Sequence, residues 1–140
     1  MLTRLYVNGF KNLMNVDIHF GPFTCIAGVN GVGKSNLFDA IRTHMSLLEA
    51  AKSVRSEGQK NSDIRDLFHK TGNDYEPQMR FIADIIIPQK GFDDLGQEAE
   101  ASITTVRYEL VLNYRQGDGL ATQGLLELVK EELQPIAITE

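Results

Sequence analysis

Gly28-Val29-Asn30-Gly31-Val32-Gly33-Lys34-Ser35 is a complete G-x-x-x-x-G-K-[ST] stretch. Three glycines in eight residues let the backbone turn tightly, so that several N–H groups point inward at one anion. Lys34 adds a point charge able to reach the β- and γ-phosphates of a nucleotide, and the Ser35 hydroxyl is placed to ligate Mg²⁺. A plain glycine-rich turn would not need the Lys-Ser pair.

The flanks read as strand, loop and helix. Phe23-Thr24-Cys25-Ile26-Ala27 is a short apolar run and predicts a buried strand in a parallel sheet. After the loop, Leu37, Phe38, Ile41, Met45 and Leu48 recur at helical spacing, with Asp39, Arg42, Glu49 and Lys52 between them. The spacing predicts a helix from Lys34 to Val54 or Arg55. Its first N–H groups lack intrahelical partners and its dipole is positive there, so a triphosphate finds donors, field and metal together.

The 140 residues suffice for one domain with a core, and 42% apolar with 24% charged content is ordinary for a globular chain. No apolar stretch approaches the ~20 residues of a membrane span. The start, Met1-Leu2-Thr3-Arg4, has no signal-peptide pattern. Cys25 is the single cysteine, so no internal disulfide forms and a cytoplasmic setting is expected. A net charge of −5 does not favour a nucleic-acid footprint over the whole domain, though it leaves room for a local basic face.

Along the chain, Leu2 to Tyr6 reads as a strand and Gly9-Phe10-Lys11-Asn12 as a turn. Val16, Ile18 and Phe20 alternate with polar residues, which predicts a half-buried antiparallel strand ended by Gly21-Pro22. Residues 53–73 are polar and read as a surface connection of limited core. A short helix around Ile64, Leu67 and Phe68 is expected within it, capped by Ser62 or Asp63. Met79 to Ile87 alternates and stops at Pro88. Residues 91–101 read as a solvated loop. Val106, Tyr108, Leu110, Leu112 and Tyr114 mark one face of a long strand. Gln116-Gly117-Asp118-Gly119 is a turn signal. Leu125 to Leu133 fits helix or strand by spacing alone, and residues 134–140 still alternate as interrupted structure does.

Leu5-Tyr6-Val7-Asn8-Gly9-Phe10-Lys11-Asn12, a second strand, and then Gly28 through Ser35 continuing as Asn36-Leu37-Phe38-Asp39-Ala40-Ile41 resemble the N-terminal head segment of ABC-type ATPases. Within that class the segment is similar to the SMC, RecF and OLD-like branch. The likeness covers residues 2 to about 48. Beyond residue 75 it is one of general pattern, and it tips Leu125–Leu133 toward a strand paired with 103–114. The fold class implied is α/β: a P-loop NTPase half-head with a parallel nucleotide-binding strand–loop–helix and a flanking antiparallel sheet. Its expected parts are residues 1–55 for the nucleotide, 56–74 as polar connection and 75–140 as antiparallel lobe, together an incomplete head.

The resemblance implies two heads sandwiching two ATP molecules, closed by ATP binding and opened by hydrolysis, in DNA repair, chromosome organisation or anti-phage defence. A second head, DNA, and a nuclease domain or subunit are the implied partners, and no membrane is. Gly28, Val29, Asn30, Gly31, Val32, Gly33, Lys34, Ser35 and Asn36 would hold ATP, with Ser35 on Mg²⁺. Lys11 and Asn12 match the turn that approaches base and ribose in relatives. The family also needs four apolar residues ending in Asp-Glu, the Glu activating the attacking water. Phe81-Ile82-Ala83-Asp84 is followed by Ile85, and Asp93-Asp94 follows Gly91-Phe92, so this base is missing; the signature motif is wanting too. No catalytic residue is therefore assigned in this chain. A Mg²⁺-contacting glutamine is expected in relatives, with Gln78 and Gln89 as candidates by position. Phosphoryl transfer needs positioning, a metal and an oriented water, so the chain alone is expected not to hydrolyse ATP.

Other readings stay open. A nucleotide-sensing module that acts on a partner without hydrolysis is the alternative. A GTPase would carry Asn-Lys-x-Asp, which is absent; a kinase would use lid arginines, with Arg55 and Arg65 as candidates. His19, His44 and His69 lack zinc spacing and read as ordinary histidines. Cys25 reads as a small core residue. Asp39, one turn after Ser35, reads as solvent-facing or as a second layer around the metal. Lys52, Arg55, Lys60, Arg65 and Lys70 suggest a DNA contact or an ordinary charged surface, with Glu49, Glu57, Asp63 and Asp66 interleaved.

Overall fold

The computed structural model describes residues 1–42, 64–116 and 124–137. Its centre is a five-stranded sheet in the order β2-β1-β5-β8-β9, built from β1 (Leu2–Asn8), β2 (Val16–His19), β5 (Gln78–Ile86), β8 (Thr105–Arg115) and β9 (Leu125–Pro135). Every ladder in it is antiparallel. Among the described residues two small hairpins complete the strands: β3 (Lys70–Thr71) with β4 (Asp74–Tyr75), and β6 (Lys90–Phe92) with β7 (Glu98–Glu100).

Alternation sets the two faces of the sheet. Leu5 pairs with Ala83 and Val7 with Phe81, while Phe81 pairs with Leu110 and Met79 with Leu112. These residues form the buried face. Phe10 and Leu13 from the β1–β2 turn, Leu37 and Ala40 from the helix, and Phe68 close over it. The Phe10 and Phe81 rings meet edge to face at 5.5 Å, a favoured aromatic geometry. The opposite face carries charge. Arg4 pairs with Asp84 in register and Asp84 with Arg107.

The expected strands at Leu2, Val16, Met79 and Val106 all form, and residues 125–135 resolve as strand β9 against β8. The helix, α1, begins at residue 34 as expected and is described to residue 42. Its expected continuation to residue 54 or 55, the cap at Ser62 or Asp63, and the Gly117-Asp118-Gly119 turn lie outside the described residues.

Four expectations are corrected. Phe23–Ala27 joins no ladder among the described residues; Phe23 is 88% exposed. A parallel strand needs a partner brought alongside by a crossover, and every described ladder is antiparallel. Cys25, read as a core residue, is consequently exposed. The connection is not all surface: after a 3₁₀ turn at Ile64–Leu67, Phe68 is 2% exposed and its ring meets Tyr114 edge-on at 6.0 Å. Residues 90–100 form a hairpin rather than a loop, closed by Asp93, whose carboxylate accepts from the N–H groups of Leu95 and Gln97. They are solvated on both sides, as read.

Candidate nucleotide-binding site

The β1–β2 turn is where the sheet meets the glycine loop. Gly9 takes φ 81°, and a Cβ there would lie 2.4 Å from the Gln78 carbonyl oxygen, so the turn can press against β5 only with glycine. Lys11 follows at φ 49°, unusual for a residue with a side chain. Three hydrogen bonds hold it there. The Lys11 N–H donates to the Leu67 carbonyl at 2.8 Å, and the His69 N–H donates to Gly9 at 2.8 Å. The His69 Nδ1 lies 2.7 Å from the Lys11 carbonyl oxygen, which only accepts, so Nδ1 carries the proton. His69 is thus a structural brace of the turn, and Phe10 bridges to Phe68 beside it.

The turn then grips the loop. The Asn36 side-chain amide donates to Asn12 Oδ1 at 2.8 Å. Gly33, at φ 105°, lies so close that a Cβ would sit 2.6 Å from Asn12 Nδ2. Lys11 Nζ forms a 2.7 Å ion pair with Asp39, four residues beyond Ser35 on α1. Asp39 therefore faces solvent only in part and is paired: it holds Lys11.

Within the loop the Lys34 ammonium donates to the Gly28 carbonyl and, at 2.7 Å, to that of Val29. The Leu37 N–H donates to the Gly33 carbonyl at 3.0 Å, the first turn of α1. Ser35 stands exposed on that turn. Val29, Val32 and Phe38 around it are 77%, 58% and 52% exposed. The sequence-marked residues Gly28 to Asn36 and Lys11–Asn12 therefore come together at one end of the sheet.

Two cations, Lys11 and Lys34, a glycine loop and a helix N-terminus fit a polyphosphate. Mg²⁺ keeps most of its ligands as water and phosphate oxygen. A hydroxyl such as Ser35 therefore fits its small protein share, and no carboxylate cage stands among the described residues.

The remaining candidates fall elsewhere. Asp84, the nearest match to the metal-binding aspartate, lies on the charged face, away from α1. Arg107 holds it by two bonds of 2.6 and 2.8 Å, with Arg4 at 3.8 Å. The Arg107 guanidinium keeps its carboxyl below the usual range despite burial. Glu109 is held down likewise by Lys130 and Arg80. Burial pushes the Tyr108 phenol up to about 12, with its bond to Glu131 adding to the rise. Gln78 lies beside Gly9 with its amide on Asn113, whereas Gln89 sits past the other end of β5 and bonds Glu100. Arg65 lies over the Tyr114 ring at 4.6 Å and Lys70 over Tyr75 at 5.4 Å. Lys52, Arg55, Lys60 and His44 lie outside the described residues. So does Ser56-Glu57-Gly58, which has the bare Ser-x-Gly spacing of a signature but no supporting context.

A glycine loop opening a helix, seated against the first turn of an antiparallel sheet, defines the N-terminal segment of an ABC-type ATPase head. Residues 1–109 match the RecF/RecN/SMC N-terminal domain, and the chain belongs to that family. It is 37% identical over 78 residues to the DNA replication and repair protein RecF of Parabacteroides distasonis, covering 54% of this chain and 21% of that protein. It is 46% identical over 41 residues to the OLD nuclease of Thermus scotoductus, covering 29% of this chain and 8% of that one. The chain thus spans between about a tenth and a fifth of the length of the RecF relatives it matches. A solved structure from work on ATP-driven dimerisation and DNA-stimulated activation of SMC ATPases aligns over 94% of this chain and 71% of its own. The TM-score is 0.50 at 24% identity, a likeness of fold. No helix among the described residues is long and apolar enough to cross a membrane.

Proposed function

We propose that the chain binds ATP and Mg²⁺ as the N-terminal part of an ABC-type head that pairs with a second head when ATP is bound. The observation that carries this is the junction of Asn12, Gly33 and Asn36, which fixes a glycine loop at the start of a helix. Backbone N–H groups of residues 28–35 and the Lys34 ammonium would hold the phosphates, and Ser35 would take one position on Mg²⁺. The metal would neutralise charge on the phosphates. Lys34, now spent on two loop carbonyls, would turn its donors to the γ-phosphate. Asn36 would lie on the α-phosphate side, with the turn at Lys11 and Asn12 approaching base and ribose and the Lys11 ammonium reaching on to the phosphates.

Asp84 is committed to Arg107 on the far face, so it would not serve as the carboxylate that activates water, and the rest of a complete head would supply that group. The exposed run at Phe23–Ala27 suits pairing with further strands of a complete head. The names of the RecF and OLD nuclease relatives favour service in DNA replication and repair, with DNA and a nuclease as partners; chromosome maintenance and anti-phage defence rest on the family resemblance alone. A non-hydrolysing module that signals nucleotide to a partner protein uses the same loop and is the second reading.

Turnover tests whether the catalytic base lies apart from this chain. The 140-residue chain is expected to bind ATP and release no phosphate. Phosphate release by this chain, abolished in Lys34→Ala, would overturn the division of the head.

A further inference from the structure

Lys11 is held more tightly than an exposed lysine in a turn requires. Its N–H and C=O are both bonded, its φ is in the left-handed region, and its ammonium is 2.7 Å from Asp39. Strained residues persist where their surroundings over-determine them, and such sites cluster at ligand clamps. The backbone aims this side chain at α1, next to the Asn12 side chain that touches Gly33 and Asn36. An ammonium carries three donors, and Asp39 takes one of them. Both partners of the pair stay partly open to solvent, at 29% and 40% of the side chain.

The geometry points to an ion-pair exchange at the nucleotide site: Asp39 is the resting counter-ion of Lys11, and the phosphate chain of an arriving nucleotide takes Lys11 from it. This rests on reading residues 28–35 as a nucleotide loop. Asp39 then acts as a brake on polyphosphate binding. In the empty site it neutralises a cation that would otherwise attract any anion. In the loaded site it is left as a free carboxylate on α1. The brake is graded by charge. A ligand without phosphate cannot compete for Lys11 and so does not feel it.

Partly exposed ion pairs contribute little, so the expected effect is modest, about two- to five-fold in affinity. The test is a double-mutant cycle on the full-length protein, with ATP·Mg²⁺ and adenosine as the two probes. Asp39→Asn is expected to tighten ATP about two- to five-fold and to leave adenosine unchanged. In a Lys11→Ala background the same substitution is expected to do nothing. Asp39→Ser, smaller and equally neutral, repeats the measurement should Asn disturb the fold. A gain that persists without Lys11 would mean that Asp39 acts only through its field on the phosphates. A loss of ATP affinity would mean that Asp39 positions Lys11 rather than restrains it. Either result overturns the exchange. Lys34→Ala, run alongside, tests the loop itself: if it leaves ATP affinity intact, the nucleotide reading fails separately from the exchange.

Discussion

Asn12 and Gly33 stand 21 residues apart in sequence, and only a glycine at position 33 leaves room for the Asn12 amide. That contact joins the turn of the sheet to the glycine loop. It predicts that Gly33→Ala acts twice. The new Cβ would press on Asn12 from 2.6 Å and break its bond to Asn36, and φ 105° is strained for alanine. The strain alone costs about 1–3 kcal/mol. Thermal melting should show that loss, and ATP titration a loss of at least about ten-fold, since about 1.4 kcal/mol is a factor of ten. Adding Asn12→Ala should relieve the contact without restoring binding, because φ stays strained. Full recovery in the double variant would mean that the contact alone matters.

Asp84 and Arg107 give a pH-dependent prediction. Asp84 has its pKa lowered in the folded protein, first by its hydrogen bond to Arg107. A lowered carboxylate contributes stability above its unfolded pKa, about 3.9, and that stability is lost as pH falls through the folded value. Asp84→Asn is therefore expected to lower stability by about 2 kcal/mol at neutral pH, the range for a hydrogen bond to a charged group. The gap to wild type should close as pH drops below about 4. Denaturant melts at several pH values measure it. A gap constant down to pH 2 would show that packing, not charge, is what the substitution removes.

Thr105 opens β8 with a buried hydroxyl that has no hydrogen-bond partner among the described residues. Leaving such a group unpaired costs about 1–3 kcal/mol, and an apolar group of like shape avoids that cost. Thr105→Val should raise stability by about 1 kcal/mol, read as a higher melting temperature. A lower one would show that the hydroxyl finds a partner in solution.

What could be read from the chain depended on the range of the interaction. Gly28 to Ser35 was legible as a loop opening a helix, because glycine turns and a helix start are both set locally. Val106 to Tyr114 and Met79 to Ile87 were legible because period-two alternation is local too. Leu125–Leu133 was ambiguous in itself and needed the family resemblance, since its apolar spacing suits both periods. Phe23–Ala27 misled because an apolar run says nothing about where its partner strand lies. The Lys11–Asp39 pair left no signal at all. Its members are 28 residues apart, and only the packing of α1 against the sheet brings them together. The burial of Phe68 in a polar stretch was invisible for the same reason. The hairpin at 90–100 was the readable miss, because Asp93 and Gly96 carry the residues of a tight turn.

The central claim is that the loop over residues 28–35 holds a nucleotide. Calorimetric titration of ATP·Mg²⁺ into the wild-type protein and Lys34→Ala tests it most directly. The account predicts saturable one-to-one binding by the wild type, at least about ten-fold weaker in Lys34→Ala, with both proteins folded by circular dichroism. Equal binding by the two, or no binding by a folded wild type, would contradict it.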